Sequence, residues 1–230
     1  MKTMTVATLE RQPRIRNGVC GSGDKMMSTL IKDERIPKTS KVLLIYSGQE
    51  NFSNSLQHFY CKYGNNLQTE DKYVIKWLIE NLYCLGTFAY YKGEEKNYAF
   101  PIELLYYLED RIDFFQSNYG DCLDFMYFEK EKYILLDAAR IKARDLERGY
   151  AIWYEFCEGR RKPDGVFLTM AKILNRLSTY IYNLTRYELY RDGEIEKHWT
   201  GGVKPFEPPI SVKQRMNIVE FKEVIEEVGC

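Results

Sequence analysis

The sequence predicts an α+β fold, dominated by helices, with short antiparallel β-hairpins between them and a flexible N-terminal arm. Three observations lead there. Several long windows repeat apolar residues at three- and four-residue spacings, the mark of a helix with one buried face. Aromatic runs broken by turn residues lie between those windows and read as hairpins. The first 39 residues show no sustained apolar period and carry Gly18, Gly21, Gly23 and two prolines.

That arm, residues 1–39, holds eight basic against four acidic side chains. Residues 40–200 are expected to form a single globular domain, and 201–230 a linker, "GGVKPFEPP", followed by an amphipathic C-terminal helix. "KVLLIYSG" reads as a short buried strand and "NFSNSLQHFYCKY" as the helix after it. The turn between them has neither GxGxxG nor GxxxxGK[ST], so it gives no reason to expect a phosphate loop. "TEDKYVIKWLIENLYCLG" predicts a helix capped by Thr69, with Glu70 and Asp71 at its positive end and Gly86 as its stop. Val74, Trp77, Leu78, Leu82 and Leu85 make its apolar face.

"TFAYYKGEEKNYAF" is then expected to be a hairpin, and Pro101 to open a helix through "PIELLYYLEDRIDFFQ". "DFMYFEKEKYILL" predicts a second hairpin. Asp137 caps a long helix reaching about Cys157, with Arg140, Arg144 and Arg148 as an i, i+4 stripe. Pro163-Asp164-Gly165 is a turn. Met170, Leu174, Leu177, Ile181 and Leu184 then repeat as a heptad-like seam packed inside the domain. "YELYRDGEIEKHW" predicts a third hairpin around Asp192-Gly193.

Composition narrows the function only broadly. Lys plus Arg and Asp plus Glu both total 33, so the formal charge is zero and wrapping a polyanion is disfavoured as the main task. Six cysteines with irregular spacing, no CxxC and no secretion-like N-terminus predict reduced thiols in a cytoplasmic protein. No stretch approaches the roughly 20 apolar residues of a membrane span. The 19 tyrosines suit either core edges or wet interfaces.

Two chemistries compete with these readings. A metal-dependent nuclease would pair Asp164 with Glu194 and Glu196, but Lys197 falls one residue out of register for such a site. "LEDRID" has aspartate-rich spacing without a second acidic helix to face it. Only His58 and His198 are present, so histidine-based catalysis has few players. No metal site and no cofactor is therefore predicted. The concentrated cations are Arg140, Arg144, Arg148, Arg160, Arg161 and Lys162, with Tyr150 and Trp153 beside them as possible stacking surfaces.

From these features the sequence predicts a non-enzymatic interaction or regulatory protein that presents an aromatic and charged surface. Its partner is expected to be another protein or a second copy of the chain. A nucleic-acid-binding protein using Arg140–Lys162 is the first alternative, and a carboxylate- or metal-dependent enzyme, such as a divergent nuclease, is the second.

Overall fold

In a computed structural model of the chain, residues 27–29, 35–120, 125–158 and 165–199 are described. The contacts divide the chain into Met1–Lys197 and His198–Cys230, and the bundle below lies in the first unit. Two three-residue strands, β1 (Met27–Thr29) and β2 (Arg35–Pro37), pair antiparallel. Everything else regular is helical: α1 (Val42–Tyr63), α2 (Thr69–Asn81), α3 (Cys84–Tyr90), α4 (Ile102–Tyr119), α5 (Glu131–Glu158) and α6 (Gly165–Arg191). The architecture is a helical bundle rather than the expected α+β fold, because every predicted hairpin in the described residues is helix or loop.

Each error has a physical cause. Read over eight residues, "KVLLIYSG" cannot be told from a buried helical turn. Read further, Ile45, Gln49, Phe52, Leu56 and Phe59 are all buried at spacings of four, three, four and three, and they define the inner face of α1. The first hairpin is the short helix α3, closed at Gly93. This residue has a left-handed φ of 73° and donates its N–H to the Phe88 carbonyl at 2.9 Å. The second is a loop leading into α5, which begins at Glu131 rather than Asp137, because Tyr133, Leu136, Ala139, Ala143 and Leu146 keep one helical register inside the core.

The third expected turn, Asp192-Gly193, ends a helix instead. Gly193 has a φ of 72°, its N–H reaches the Tyr190 carbonyl at 3.0 Å, and the Glu194 N–H reaches Leu189 at 3.0 Å. An Asp-Gly pair serves a helix C-terminus as well as a type I′ turn, because both need left-handed backbone. Thr69 is the first helical residue and makes no cap hydrogen bond, since Gln68 holds the cap position. Gly86 lies inside α3 rather than ending a helix. The predicted heptad seam of α6 is buried as expected, with Met170, Leu174, Leu177, Ile181 and Leu184 all at most 1% exposed.

Side-chain pairs give the helix directions. Lys62 meets Glu131 while the backbone of Leu44 lies against Gly149, so α1 and α5 run antiparallel. Asn175 meets Glu147 and Asp192 meets Lys132, so α5 and α6 are antiparallel too. Phe100 lies by Met170 and Tyr119 by Tyr190, which makes α4 and α6 parallel. α2 joins through a buried polar knot: Asp71, fully buried, accepts from Arg111 of α4 at 2.6 Å and from the Tyr180 hydroxyl of α6 at 2.9 Å. Burial holds the Tyr180 phenol well above its ordinary range, so it stays protonated and donates.

Arg186, 5% exposed, closes the far end of α4. Its guanidinium donates to the carbonyls of Gly120 at 2.6 Å and Tyr119 at 3.2 Å, which are orphan acceptors at a helix C-terminus.

Candidate functional site

Because α5 and α6 run antiparallel, one outer strip of α5 lies against one outer strip of α6. The residues that α6 contributes, Asn175, Ser178 and Tyr182, sit one position beyond the buried Leu174, Leu177 and Ile181. A one-residue step turns about 100° around a helix, so the heptad that buries the core also places this polar row at its edge. α5 contributes Arg140, Arg144 and Glu147, spaced four and three residues apart.

The ends of this seam are tied. The Arg140 Nε donates to Asp137 at 2.6 Å, and its guanidinium lies 6.0 Å from the Tyr182 ring centroid. Two turns along, the Asn175 amide donates to Glu147 at 2.8 Å. Asn175 in turn accepts from Arg176 at 2.6 Å, and Arg176 reaches Glu109 of α4 at 3.1 Å. Between the ends stands Arg144, exposed, with no ion pair or hydrogen bond among the described residues. Arg148, one turn further, pairs with Asp145, which also meets Lys142 at 3.5 Å.

An unpaired guanidinium between two fixed polar clusters is suited to a multiply charged oxyanion. Arg144 can neutralise it without first breaking a protein contact, and Arg140 is held in place to second it. The loop before α5 exposes Phe125 at 75% and Tyr127 at 52%, and Ile195, after α6, is 83% exposed. A groove of about 260 Å³ opens there, lined by Tyr127, Phe128, Tyr133, Leu189, Ile195 and Lys197. Tyr133 is seven residues before Arg140, or about 10 Å along the helix axis.

The residues singled out from sequence divide sharply. Arg140, Arg144 and Arg148 share one helix. Tyr150 and Trp153 are each 1% exposed and belong to the core: Tyr150 donates to the Phe167 carbonyl at 3.1 Å, and Trp153 stacks on Phe167 with centroids 5.7 Å apart. Neither offers a face to a base. Glu194 pairs with Lys130, and Glu196 with Arg186 at 2.7 Å, so both carboxylates have cation partners within the protein. Arg160, Arg161, Lys162 and Asp164 lie outside the described residues. No group of three or more metal-ligating side chains is found among the described residues. Glu147, Asn175 and Arg176 carry no motif in the sequence; their one signal there is the polar row beside the heptad of α6 and the acid between Arg144 and Arg148.

The structure is a helical bundle with a row of arginines along one outer seam. The cobalamin adenosyltransferase family profile matches residues 19–188, and the chain belongs to that family. Three solved structures from Lactobacillus reuteri share the fold. One is a phenylalanine-to-alanine variant of a PduO-type ATP:corrinoid adenosyltransferase complexed with cobalamin and ATP. It is 14% identical with a TM-score of 0.60, and the match covers 80% of this chain and 99% of that one. A phenylalanine-to-histidine variant with the same ligands is 16% identical, with a TM-score of 0.57 and coverage of 82% and 99%. An arginine-to-lysine variant of the ATP:co(I)rrinoid enzyme, complexed with ATP, is 18% identical, with a TM-score of 0.59 and coverage of 79% and 98%. No curated protein matches the sequence.

Membership in a transferase family overturns the expectation of a non-enzymatic regulatory protein. The nucleic-acid-binding reading and the divergent nuclease fall with it. Among the described residues, no helix is long and apolar enough to cross a membrane.

Proposed function

We propose that this protein transfers the 5′-deoxyadenosyl group of ATP to the cobalt of a reduced corrinoid. The observation that carries the reading is Arg144, without an ion pair among the described residues, in the α5–α6 seam of a chain that belongs to the cobalamin adenosyltransferase family. In the reaction the Co(I) electron pair forms the cobalt–carbon bond at C5′. The C5′–O5′ bond breaks and triphosphate leaves with its electrons, while cobalt passes formally to Co(III). The leaving group gains charge in the transition state, so fixed cations along it lower the barrier. Arg144 and Arg140 serve that role, and Arg148 extends the row. Glu147 and Asn175 supply the acceptor and donor that hold the nucleoside.

The face of the corrin ring is flat and apolar inside a rim of amide side chains, and the exposed Phe125, Tyr127 and Ile195 near the start of α5 offer it an apolar shelf. Along α5, Ile134, Ile141, Ile152 and Phe156 are 44–57% exposed. We assign this strip to contact with a second copy of the chain, to be tested by light scattering over a range of concentrations.

The activity assay is anaerobic incubation with ATP and a chemically reduced corrinoid. Loss of the Co(I) absorbance, appearance of a photolabile alkylcorrinoid and release of triphosphate in equal amounts are expected. An unchanged Co(I) spectrum with correctly folded protein would reject the reading.

A further inference from the structure

We infer that Arg176 is a specificity-determining positioning residue, which fixes the direction of the Asn175 amide so that the seam selects adenine over guanine. This rests on the nucleotide reading of the seam given above. The Asn175 side chain is held from both ends. Its Nδ2 donates to Glu147 Oε1 at 2.8 Å, and its Oδ1 accepts from Arg176 Nη1 at 2.6 Å. The two neighbours have opposite chemistry: Glu147 can only accept and Arg176 can only donate. A flipped amide would set its NH₂ against the guanidinium and its oxygen against the carboxylate, losing both hydrogen bonds at once. One orientation is therefore enforced.

Arg176 is itself anchored from a third helix, its Nε donating to Glu109 Oε1 of α4 at 3.1 Å. The four side chains form a relay across α4, α6 and α5: Glu109, Arg176, Asn175, Glu147. Each end of the amide has used one of its two hydrogen-bonding positions on the protein. The second Nδ2–H and the second Oδ1 lone pair remain for a ligand, and Asn175 is exposed. A fixed donor–acceptor pair of this kind matches the acceptor and amino donor of adenine's edge. Guanine presents an acceptor where adenine presents its amino group, and an amide that cannot flip cannot adapt to it.

The test is calorimetric binding of ATP and GTP to the full-length protein and to Arg176→Ala, Arg176→Lys, Asn175→Ala and the Asn175→Ala/Arg176→Ala pair. A preference for ATP of about tenfold or more is expected in the wild type, the range of one good bidentate base contact. Arg176→Ala should bring the two affinities within about threefold of each other, Arg176→Lys should keep part of the preference, and Arg176→Ala should add nothing once Asn175 is gone. Melting temperatures of the variants establish that each is folded, and Arg176→Lys keeps the pair with Glu109 if the alanine variant does not fold. A preference that survives Arg176→Ala, or equal binding of ATP and GTP by the wild type, overturns the inference and leaves the adenosyltransferase reading standing. Failure of the wild type to bind either nucleotide overturns both.

Discussion

Replacing Arg144 by alanine isolates the electrostatic contribution of the seam, because this side chain has no partner to lose among the described residues. A surface substitution that breaks no contact shifts stability by about 0.5 kcal/mol or less, so the melting temperature should barely move. Binding is another matter. Two unit charges about 4 Å apart attract by about 1 kcal/mol in bulk water and about 4 kcal/mol at an effective dielectric of 20. Arg144 is exposed, which puts it toward the weaker limit, and about 1–2 kcal/mol corresponds to a loss of about 5–30-fold in ATP affinity. The salt dependence should become shallower as well, since one ion contact has gone. Calorimetric titration with ATP at low and at physiological salt measures both quantities. An Arg144→Ala variant that binds ATP within twofold of the wild type at low salt would refute the assignment of the seam as the triphosphate site.

Four further outcomes follow from contacts elsewhere in the bundle. Asp71→Asn should cost about 3–5 kcal/mol in chemical denaturation, because it leaves the half-buried Arg111 without its counter-charge. Gly93→Ala should destabilise by about 2 kcal/mol or more, since a Cβ there would lie 2.3 Å from the Phe167 ring on left-handed backbone. Leu177→Ala, at a fully buried heptad position, should cost about 2–5 kcal/mol. Asp192→Asn gives a pH signature. Partial burial raises the Asp192 carboxyl, but the hydrogen bonds from Lys132 at 2.6 Å and Tyr133 at 2.9 Å outweigh it and hold it below its ordinary 3.8. The carboxylate therefore contributes stability above 3.8 and loses it as pH falls through the lowered folded value. The wild type should exceed Asp192→Asn by about 1 kcal/mol at neutral pH, with the gap closing in acid, in unfolding titrations across that range.

How far the molecule could be read from its residues depended on the length of the pattern. A helix with two heptads of apolar repeat, as from Met170 to Leu184, was legible because burial on one face leaves a period that no turn can imitate. The hairpins failed where the window was short. Strings such as "FAYY" and "YELY" have β-prone aromatics, and local propensity favours strand. In the bundle those rings fill the space between helices: Phe88 lies against Trp153 and Phe167, and Tyr187 against Phe115 and Tyr119. Tertiary packing overrode propensity at each place. The Arg140, Arg144, Arg148 stripe was legible as a set of cations. Its meaning was not, because Asp137 ties Arg140 from within α5 while Tyr182 and Asn175, which bound the row, come from α6, and only the fold brings α6 alongside.

The same dependence explains why the functional conclusion changed with the fold. Had residues 187–199 turned back as a hairpin, α6 would have ended near Arg186, and the Glu188 and Asp192 carboxylates would not meet Lys132 at 2.7 and 2.6 Å. Those pairs pin the start of α5 to the end of α6, as Tyr150 and Phe167 pin the opposite ends of the two helices. Fixed at both ends, the antiparallel pair has one register, and that register sets Glu147 opposite Asn175 and Arg140 opposite Tyr182. A slip of one helical turn, about 5.4 Å, would break both contacts and leave Arg144 facing a different part of α6. Charge on a helix face reads as a solvated surface until a second helix is placed beside it. Here the second helix leaves one arginine unpaired between two fixed clusters, and that inequality turns a charged stripe into a candidate site for the triphosphate.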